Sequence, residues 1–354
     1  MKLSNTGVVM KICFIMYPWE RIEPETDSTA RLIHEAVARS HTVVVTSPNN
    51  LTIRESTTSA FCKVIKKTPS VSTNIPTFYR KVEFKKAQLP LAGFDAIIMR
   101  DNPPLDTLAI NFLDSVRDDT FIMNDIHGLR IANNKLYTAS FDEAANEFIP
   151  KTHVSKNKEY LETVLTESET EKMIMKPLNG FGGHGVIVVE KNAKQNFSSL
   201  LDFYIEGSNS TNYVILQEYV EGAENGDVRI LMLNGEPIGA MRRVPAKDEV
   251  RSNVHAGGSV LKHSLTKQEL KLCKRIGPKL VRDGLYFVGL DVISNKLIEV
   301  NVLSPGGIAR INKLNRVRLQ SQVIDFVESV VNTKEMGVQR KSEFKKAIED
   351  ADTL

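Results

Sequence analysis

The segment from Tyr286 to Val302, YFVGLDVISNKLIEVNV, limits what this chain can fold into more than any other. β-Branched and aromatic residues run on both sides of Ser294-Asn295, so the segment predicts a β-hairpin turning at that pair or close by. Both arms read as strands buried on two sides, yet they carry Asp291 on one arm and Glu299 and Asn301 on the other. Glu299 and Asn301 are two apart and therefore share a face. Asp291 falls opposite or diagonal to them, according to the register. Acids buried without partners are costly. Two carboxylates and a carboxamide converging among apolar neighbours make an oxygen-rich site for Mg²⁺, with nucleotide phosphates completing its coordination. The competing arrangement is an outward-facing polar edge paired with Lys296.

A second constellation lies upstream. The stretch IMKPLNGFGGHGVIVVE places Gly180, Gly182 and Gly185 at the G-x-G-x-x-G spacing. A dinucleotide fold needs a helix straight after such glycines, so that pyrophosphate meets its N-terminus. Here VIVVE follows, a poor helix and a good strand. The loop also lacks the Gly-Lys-Ser/Thr ending of a P-loop. Two readings remain: a glycine-rich hairpin loop whose backbone N–H groups wrap phosphate oxygens, with Lys176 upstream as a fixed charge, or a plain hairpin turn. Four glycines within six residues cost backbone entropy that a plain turn does not require.

The first 125 residues alternate strand and helix. VVMKICFIM reads as a buried first strand, and DSTARLIHEAVARS as a helix capped by Asp27 or Ser28, with Leu32, Ile33 and Ala36 at helical spacing. HTVVVTS and FDAIIMR supply further strands, which predicts a small α/β domain with a parallel sheet. Residues 48–90 are rich in Ser, Thr and Lys and carry no clear period. DNPPLDT after Arg100 sits where ligands gather at the carboxyl ends of parallel strands, and reads equally as a rigid turn before a helix. Further on, residues 128–141 read as a helix, YVILQEYVE as a strand, residues 228–244 as a hairpin turning at Asn234-Gly235, and residues 266–283 as a helix.

Composition narrows the function classes. A net charge of +3 on 354 residues gives no reason to expect nucleic acid. Cys13, Cys62 and Cys273 form no metal or disulfide pattern. No run approaches the roughly 20 apolar residues of a membrane span, and the apolar start lacks a cleavage site, so a soluble cytoplasmic protein is expected. Arg229, Arg242, Arg243, Arg251 and Lys262 form a basic set that suits carboxylate and phosphate recognition, although each alone reads as a solvated charge. RSNVHAGGSVLKHS is small, polar and glycine-bearing, as a mobile flap would be, and His255 within it reads as an ordinary loop histidine.

These pieces in this order resemble the ATP-grasp superfamily, and within it the prokaryotic type of glutathione synthetase. IIMRDNPPLDT, MKPLNGFGG, QEYVEGAENGDVRILMLNGEPIGAMRRVP, RSNVHAGG and IGPKLVRDGLYFVGLDVISNKLIEVNVLSP carry the likeness over nearly the whole chain. The resemblance implies an α/β chain of the α+β ATP-grasp kind. Its expected parts are a parallel-sheet N-terminal domain (1–125), a first ATP-grasp subdomain with a glycine-rich lid (126–220), a second with metal site and flap (221–330), and a charged tail (331–354). It also implies a reaction in which ATP phosphorylates a carboxylate and an amine attacks the acyl phosphate. In that family the acid is γ-glutamylcysteine and the amine glycine. Joining a different acid and amine is the alternative, and a weakened nucleotide-binding regulator is a third possibility that the intact site residues oppose.

Carried over by position, Lys135 and Lys176 match lysines that hold ATP phosphates, and Gly182 and Gly183 fall in the phosphate lid. Gln217, Glu218, Tyr219 and Val220 match the strand facing adenine, with backbone groups of Glu218 and Val220 reading the base. Asp291, Glu299 and Asn301 match the ligands of Mg²⁺ (or Mn²⁺). Arg229 would neutralise the developing acyl phosphate, so its removal is expected to hurt turnover more than folding. Arg251, in the flap, is expected beside it as a second catalytic arginine. Arg100, Asn253, Gly257, Gly258 and Ser304 are expected at the substrates. The implied partners are small-molecule acid and amine substrates together with further copies of the chain, without nucleic acid or membrane. Three departures stand near the substrate pockets: Asp125 where the family has Asn-Lys-Pro, Ser259 where an arginine follows the flap glycines, and GGIARIN after Ser304-Pro305.

Overall fold

The computed structural model of the protein describes residues 9–141, 147–178, 185–192, 194–206, 212–245 and 258–352. The chain divides into two compact units. One gathers the residues up to Asn102, Asp106–Ile126 and the chain from Arg318 on; the other holds Pro103–Leu105 and His127–Val317.

The first unit is built from β1 (Lys11–Met16), α1 (Ser28–Ala38), β2 (Thr42–Thr46), β3 (Leu51–Arg54), β4 (Thr57–Ile65), α2 (Ile75–Lys81), β5 (Phe84–Pro90), β6 (Ala96–Arg100), α3 (Thr107–Asp114) and β7 (Phe121–Met123). β1 pairs in parallel with β2 and β6, and β6 with β7. This is the parallel core that the apolar runs predict, with Ile12 to Met16 buried on both faces. α1 starts at Asp27, whose carboxylate accepts the Ala30 N–H at 2.7 Å. Asp106 likewise caps α3, so the turn reading of DNPPLDT holds for its second half.

Residues 48–90 extend the sheet. β4 pairs antiparallel with β2, β3 and β5, which makes a mixed seven-stranded sheet. Its period is hidden because hydroxyls stand where apolar residues would. Thr58 is buried and bonds Ser115 at 2.6 Å, and the Thr46 hydroxyl donates to the Phe61 carbonyl at 2.8 Å. The C-terminal helix, Leu319–Asp352, belongs to this unit. It buries Leu319, Val323, Ile324, Val327 and Val331, and runs exposed from Thr333 to Ile348. Arg39 after α1 ties it down through Asp325 (2.6 Å) and Glu328 (3.0 Å).

In the second unit, α4 (Ile126–Ala132), α5 (Leu136–Ala139), β8 (Thr152–Ser155), α6 (Lys158–Glu167), β9 (Lys172–Pro177), β10 (Ile187–Glu190), α7 (Lys194–Ile205) and β11 (Val214–Glu218) come first. The helix expected over 128–141 is broken in two. The Asn134 side chain accepts the Leu136 N–H at 2.9 Å, a local bond that stops one helix and starts the next. The strands form a four-stranded antiparallel sheet ordered β10-β9-β11-β8. Strand alternation sends Met173, Met175, Val214 and Leu216 into a core with Leu161, Leu165, Phe197 and Leu201 of α6 and α7. The same alternation turns Lys176 and Gln217 to the opposite face.

The remainder comprises β12 (Asp227–Leu233), β13 (Glu236–Val244), β14 (Ser259–Lys262), α8 (Lys267–Arg282), β15 (Phe287–Ile293), β16 (Lys296–Asn301) and α9 (Ile308–Asn315). The strands make a five-stranded sheet ordered β14-β13-β12-β15-β16. Both predicted hairpins turn through positive φ at two successive residues, Asn234 (48°) and Gly235 (83°), and Ser294 (44°) and Asn295 (65°). That backbone matches the twist of the flanking strands. α8 opens on a reciprocal cap between Thr266 and Glu269. The boundary drawn from the sequence at residue 220 falls between β11 and β12, inside this unit. Among the described residues no helix is long and apolar enough to cross a membrane.

Candidate active site

One face of the five-stranded sheet carries a row of charged side chains. Strand register sets Arg229 on β12 opposite Asp291 on β15, and Asp291 opposite Glu299 on β16. The sequence left the Asp291–Glu299 register open, and it is direct. It shifts immediately afterwards, where Ile298 is the extra residue of a bulge between Asp291 and Val292. Bulges re-aim neighbouring side chains and recur beside functional sites.

Arg229 grips Asp291 with both ends of its fork, Nε to Oδ1 at 2.5 Å and Nη2 to Oδ2 at 3.1 Å. Arg243 reaches the same carboxylate at 3.0 Å and is itself bonded to Asp227, its cross-strand partner. Asn301 Nδ2 donates to Asp291 Oδ2 and to the Gly289 carbonyl, each at 3.2 Å. Burial pushes the Asp291 carboxyl up, but the Arg229 and Arg243 guanidiniums outweigh it and hold the group well below the usual carboxylate range. Burial likewise pulls Arg243 down, and Asp291 and Asp227 more than reverse it. Gly289 makes room for this packing. A Cβ there would meet Arg229 Cδ at 3.2 Å and Pro305 Cβ at 3.3 Å. Arg229 also donates to the Gly306 carbonyl at 3.4 Å, which brings the loop holding Ser304 to the same arginine.

Two lysines add positive charge near Glu299. Lys135, just before α5, lies 3.4 Å from its Oε1. Lys176 on β9 is 5% exposed and donates to Gln217 Oε1 at 2.9 Å. Burial pulls the Lys176 ammonium down to about 8; Glu299 offsets part of the fall and Lys135 adds to it. Lys296 donates instead to the Glu147 carbonyl, so the polar-edge alternative for this hairpin fails. The second unit thus gathers two lysines and a fork-shaped arginine around three oxygen-bearing side chains. Such a set can bind a polyanion together with a hard cation and stabilise charge that builds on a transferring group.

The strand expected at a nucleobase is partly committed to its own sheet. Gln217 faces Lys176, the Glu218 N–H donates to the Lys151 carbonyl at 2.9 Å, and the Val220 carbonyl accepts from Ala223 at 3.3 Å. Tyr219 is half-buried with its hydroxyl 3.4 Å from Glu224. Arg242 points away from the row and donates to the Asn225 carbonyl, as a surface charge would. Gly258 precedes β14 and is half-buried.

Arg100, expected at the substrates, lies at the end of β6. It belongs to the first unit, is 2% exposed, and donates from Nε to Thr29 at 3.0 Å. That bond ties the end of β6 to α1. Gly182, Gly183, Arg251, Asn253 and Gly257 lie outside the described residues. The sequence reading overlooked Thr152, Asp227 and Gly289, and gave Arg243 no individual role. Each acts through a partner far along the chain, and only GLD, with its glycine inside a buried strand, offered a local signal.

Residues 134–316 match the ATP-grasp domain of prokaryotic glutathione synthetases, and residues 10–130 match their N-terminal domain. The chain belongs to the prokaryotic glutathione synthetase family. Glutathione synthetase from Thermosynechococcus vestitus is 36% identical over 327 residues, covering 90% of this chain and 100% of the relative. That of Gloeobacter violaceus is 34% identical over 332 residues, covering 90% and 96%. The fold is also that of solved ATP-grasp proteins. D-alanine–D-alanine ligase from Coxiella burnetii superposes with a TM-score of 0.60 at 9% identity, over 95% of this chain and 99% of that one. D-cycloserine synthetase superposes with 0.58 at 12% identity, over 89% and 99%. The sheet carrying Arg229, Asp291, Glu299 and Asn301 and the strand carrying Lys176 both fall within the stretch matched to the glutathione synthetase ATP-grasp domain.

Proposed function

We propose that the protein is an ATP-dependent, ADP-forming carboxylate–amine ligase that joins γ-glutamylcysteine to glycine. The observation that carries this reading is the family match over both domains, joined to a site in which Lys135, Lys176 and Arg229 converge on Asp291, Glu299 and Asn301.

On this reading the Glu218 carbonyl accepts from the adenine amino group and the Val220 N–H donates to the ring nitrogen beside it. Lys135 and Lys176 hold phosphate oxygens, Lys135 trading its present contact with Glu299 for a stronger anion and Lys176 using the donors that Gln217 does not take. The glycines around Gly182 and Gly183 close over the phosphates. Asp291, Glu299 and Asn301 fit a hard cation: the donors are all oxygen, they share one sheet face, and the central carboxylate is kept ionised by its arginines. They would hold Mg²⁺ or Mn²⁺, which when bound neutralises phosphate charge. Arg229 moves to the phosphoryl group as charge builds on it. Arg243 stays on Asp291, so the buried carboxylate is not stranded when Arg229 leaves. The amine then attacks the acyl phosphate, with Ser304, Arg251 and Asn253 at the substrates. This chemistry asks for electrostatic stabilisation more than for acid–base catalysis. Three buried thiols suit a cytoplasmic location.

Ser259 and the residues after Ser304 depart from the family pattern near the substrates, which favours screening other acids and amines alongside. ADP release with ATP and Mg²⁺ is measured over γ-glutamylcysteine plus glycine and over other pairs. Fastest release with γ-glutamylcysteine and glycine, with glutathione formed in step, supports the reading. Faster release with another pair reassigns the substrates, and no release with any pair removes the ligase assignment.

A further inference from the structure

The side chain that meets Lys176 is itself oriented from behind. Lys176 Nζ donates to Gln217 Oε1 at 2.9 Å. At its other end the Gln217 amide donates from Nε2 to Thr152 Oγ1 at 2.7 Å. The Thr152 hydroxyl in turn donates to the Pro150 carbonyl at 2.7 Å. The polarity of this chain is fixed at its far end. A carbonyl only accepts, so the single Thr152 proton goes to Pro150, and Thr152 must accept from Gln217. The amide is then obliged to present its oxygen to Lys176. Flipped, it would lose the Thr152 bond and set two N–H donors against an ammonium. Strand register builds the arrangement: Thr152 lies directly opposite Gln217, and Lys176 lies opposite Ile215, on the same face and two residues from Gln217.

We propose that Thr152 is a positioning residue for phosphate binding, holding the Lys176 ammonium in place through the Gln217 amide. The proposal rests on reading this face as the nucleotide site. An ammonium carries three donors, and one given to Gln217 leaves two for phosphate oxygens. The Gln217 oxygen also replaces part of the hydration that a lysine this buried has lost. The charged groups facing Lys176 are Glu299 from β16 and Lys135 ahead of α5. Neither touches the neutral Gln217–Thr152 link, so a change there is read separately from theirs.

The test is calorimetric binding of a non-hydrolysable ATP analogue with Mg²⁺ to the full chain, from pH 6.5 to 9.5. Thr152→Val keeps the shape and removes the hydroxyl. Its affinity at neutral pH should fall roughly tenfold, and its loss of affinity with rising pH should begin at lower pH than in the wild type, because a freely turning amide supports the ammonium less. Thr152→Ser should restore both properties. Gln217→Glu sets a carboxylate on the lysine and should move the loss to higher pH. Wild-type affinity and profile in Thr152→Val overturn the proposal. So does weaker binding with an unmoved profile, which would mark a merely structural role. If Thr152→Val does not fold, an unmoved profile in Gln217→Glu overturns it instead. A wild-type protein that takes up no analogue removes the nucleotide reading itself, a result distinct from any variant outcome.

Discussion

Lys176→Met should stabilise the protein at neutral pH while removing its hold on nucleotide. Burial brings the Lys176 ammonium from 10.5 to about 8. At 1.36 kcal/mol per unit, the folded state bears a cost of about 3 kcal/mol for keeping it charged. The folded lysine binds its proton less readily than the unfolded one. The cost is therefore fully present below pH 8, shrinks as pH rises from 8 towards 10.5, and is absent above that, where both states are neutral. Methionine has similar length and volume, so little cavity term enters. Urea unfolding of both proteins from pH 7 to 11 reads the difference, and titrations common to the two cancel. Methionine should be ahead by up to about 3 kcal/mol at pH 7, with the gap closing between pH 8 and 10.5. Its affinity for the ATP analogue should fall at least about tenfold through loss of a charge-assisted contact. A stability gap that stays flat with pH would refute the reasoning, because the lysine would then not be charged at a cost in the fold.

Arg229→Ala should cut ADP release by at least about a hundredfold. It should also cost about 1–3 kcal/mol in urea unfolding, since a buried carboxylate loses its two-pronged partner and keeps Arg243; the sequence alone suggested a smaller effect on folding. Gly289→Ala pushes a methyl against Arg229 Cδ at 3.2 Å and Pro305 Cβ at 3.3 Å. Unfolding should register about 1–3 kcal/mol of overpacking, and kcat should fall while affinity for the ATP analogue holds. Asp291 has its carboxyl held low by two guanidiniums, so its contribution to stability is present above the unfolded carboxylate pKa of about 4 and is lost as pH falls through the lower folded value. Asp291→Asn should therefore show a shallower acid limb in unfolding measured from pH 6 to 2.

Much of this fold was legible because local chemistry and global structure agree. Asn234-Gly235 and Ser294-Asn295 occur where the chain must turn through positive φ, Asp27 and Thr266 stand at helix starts, and the apolar run into β1 is buried throughout. The strand after the glycine loop was also readable, and it alone removed the dinucleotide reading. What stayed hidden depends on pairing at a distance. β4 buries Thr58 by giving its hydroxyl a partner, so no hydrophobic period marks it. The register of Asp291 on Glu299 ends at a bulge, which residue types do not announce. Thr152 lies 65 residues from Gln217 and reads as a surface threonine until the two strands are paired. Arg100 shows the same dependence on packing. Its position at the end of a parallel strand suits a ligand, and only packing shows that its Nε also holds Thr29 of α1.

The central claim is that ATP phosphorylates the acid substrate on its carboxylate. It is tested most directly by carrying ¹⁸O in the reacting carboxylate of γ-glutamylcysteine and following it through turnover with ATP, Mg²⁺ and glycine. The account predicts one labelled oxygen in inorganic phosphate for each glutathione formed, with ADP as the nucleotide product. Unlabelled phosphate, or label appearing in AMP, would contradict it.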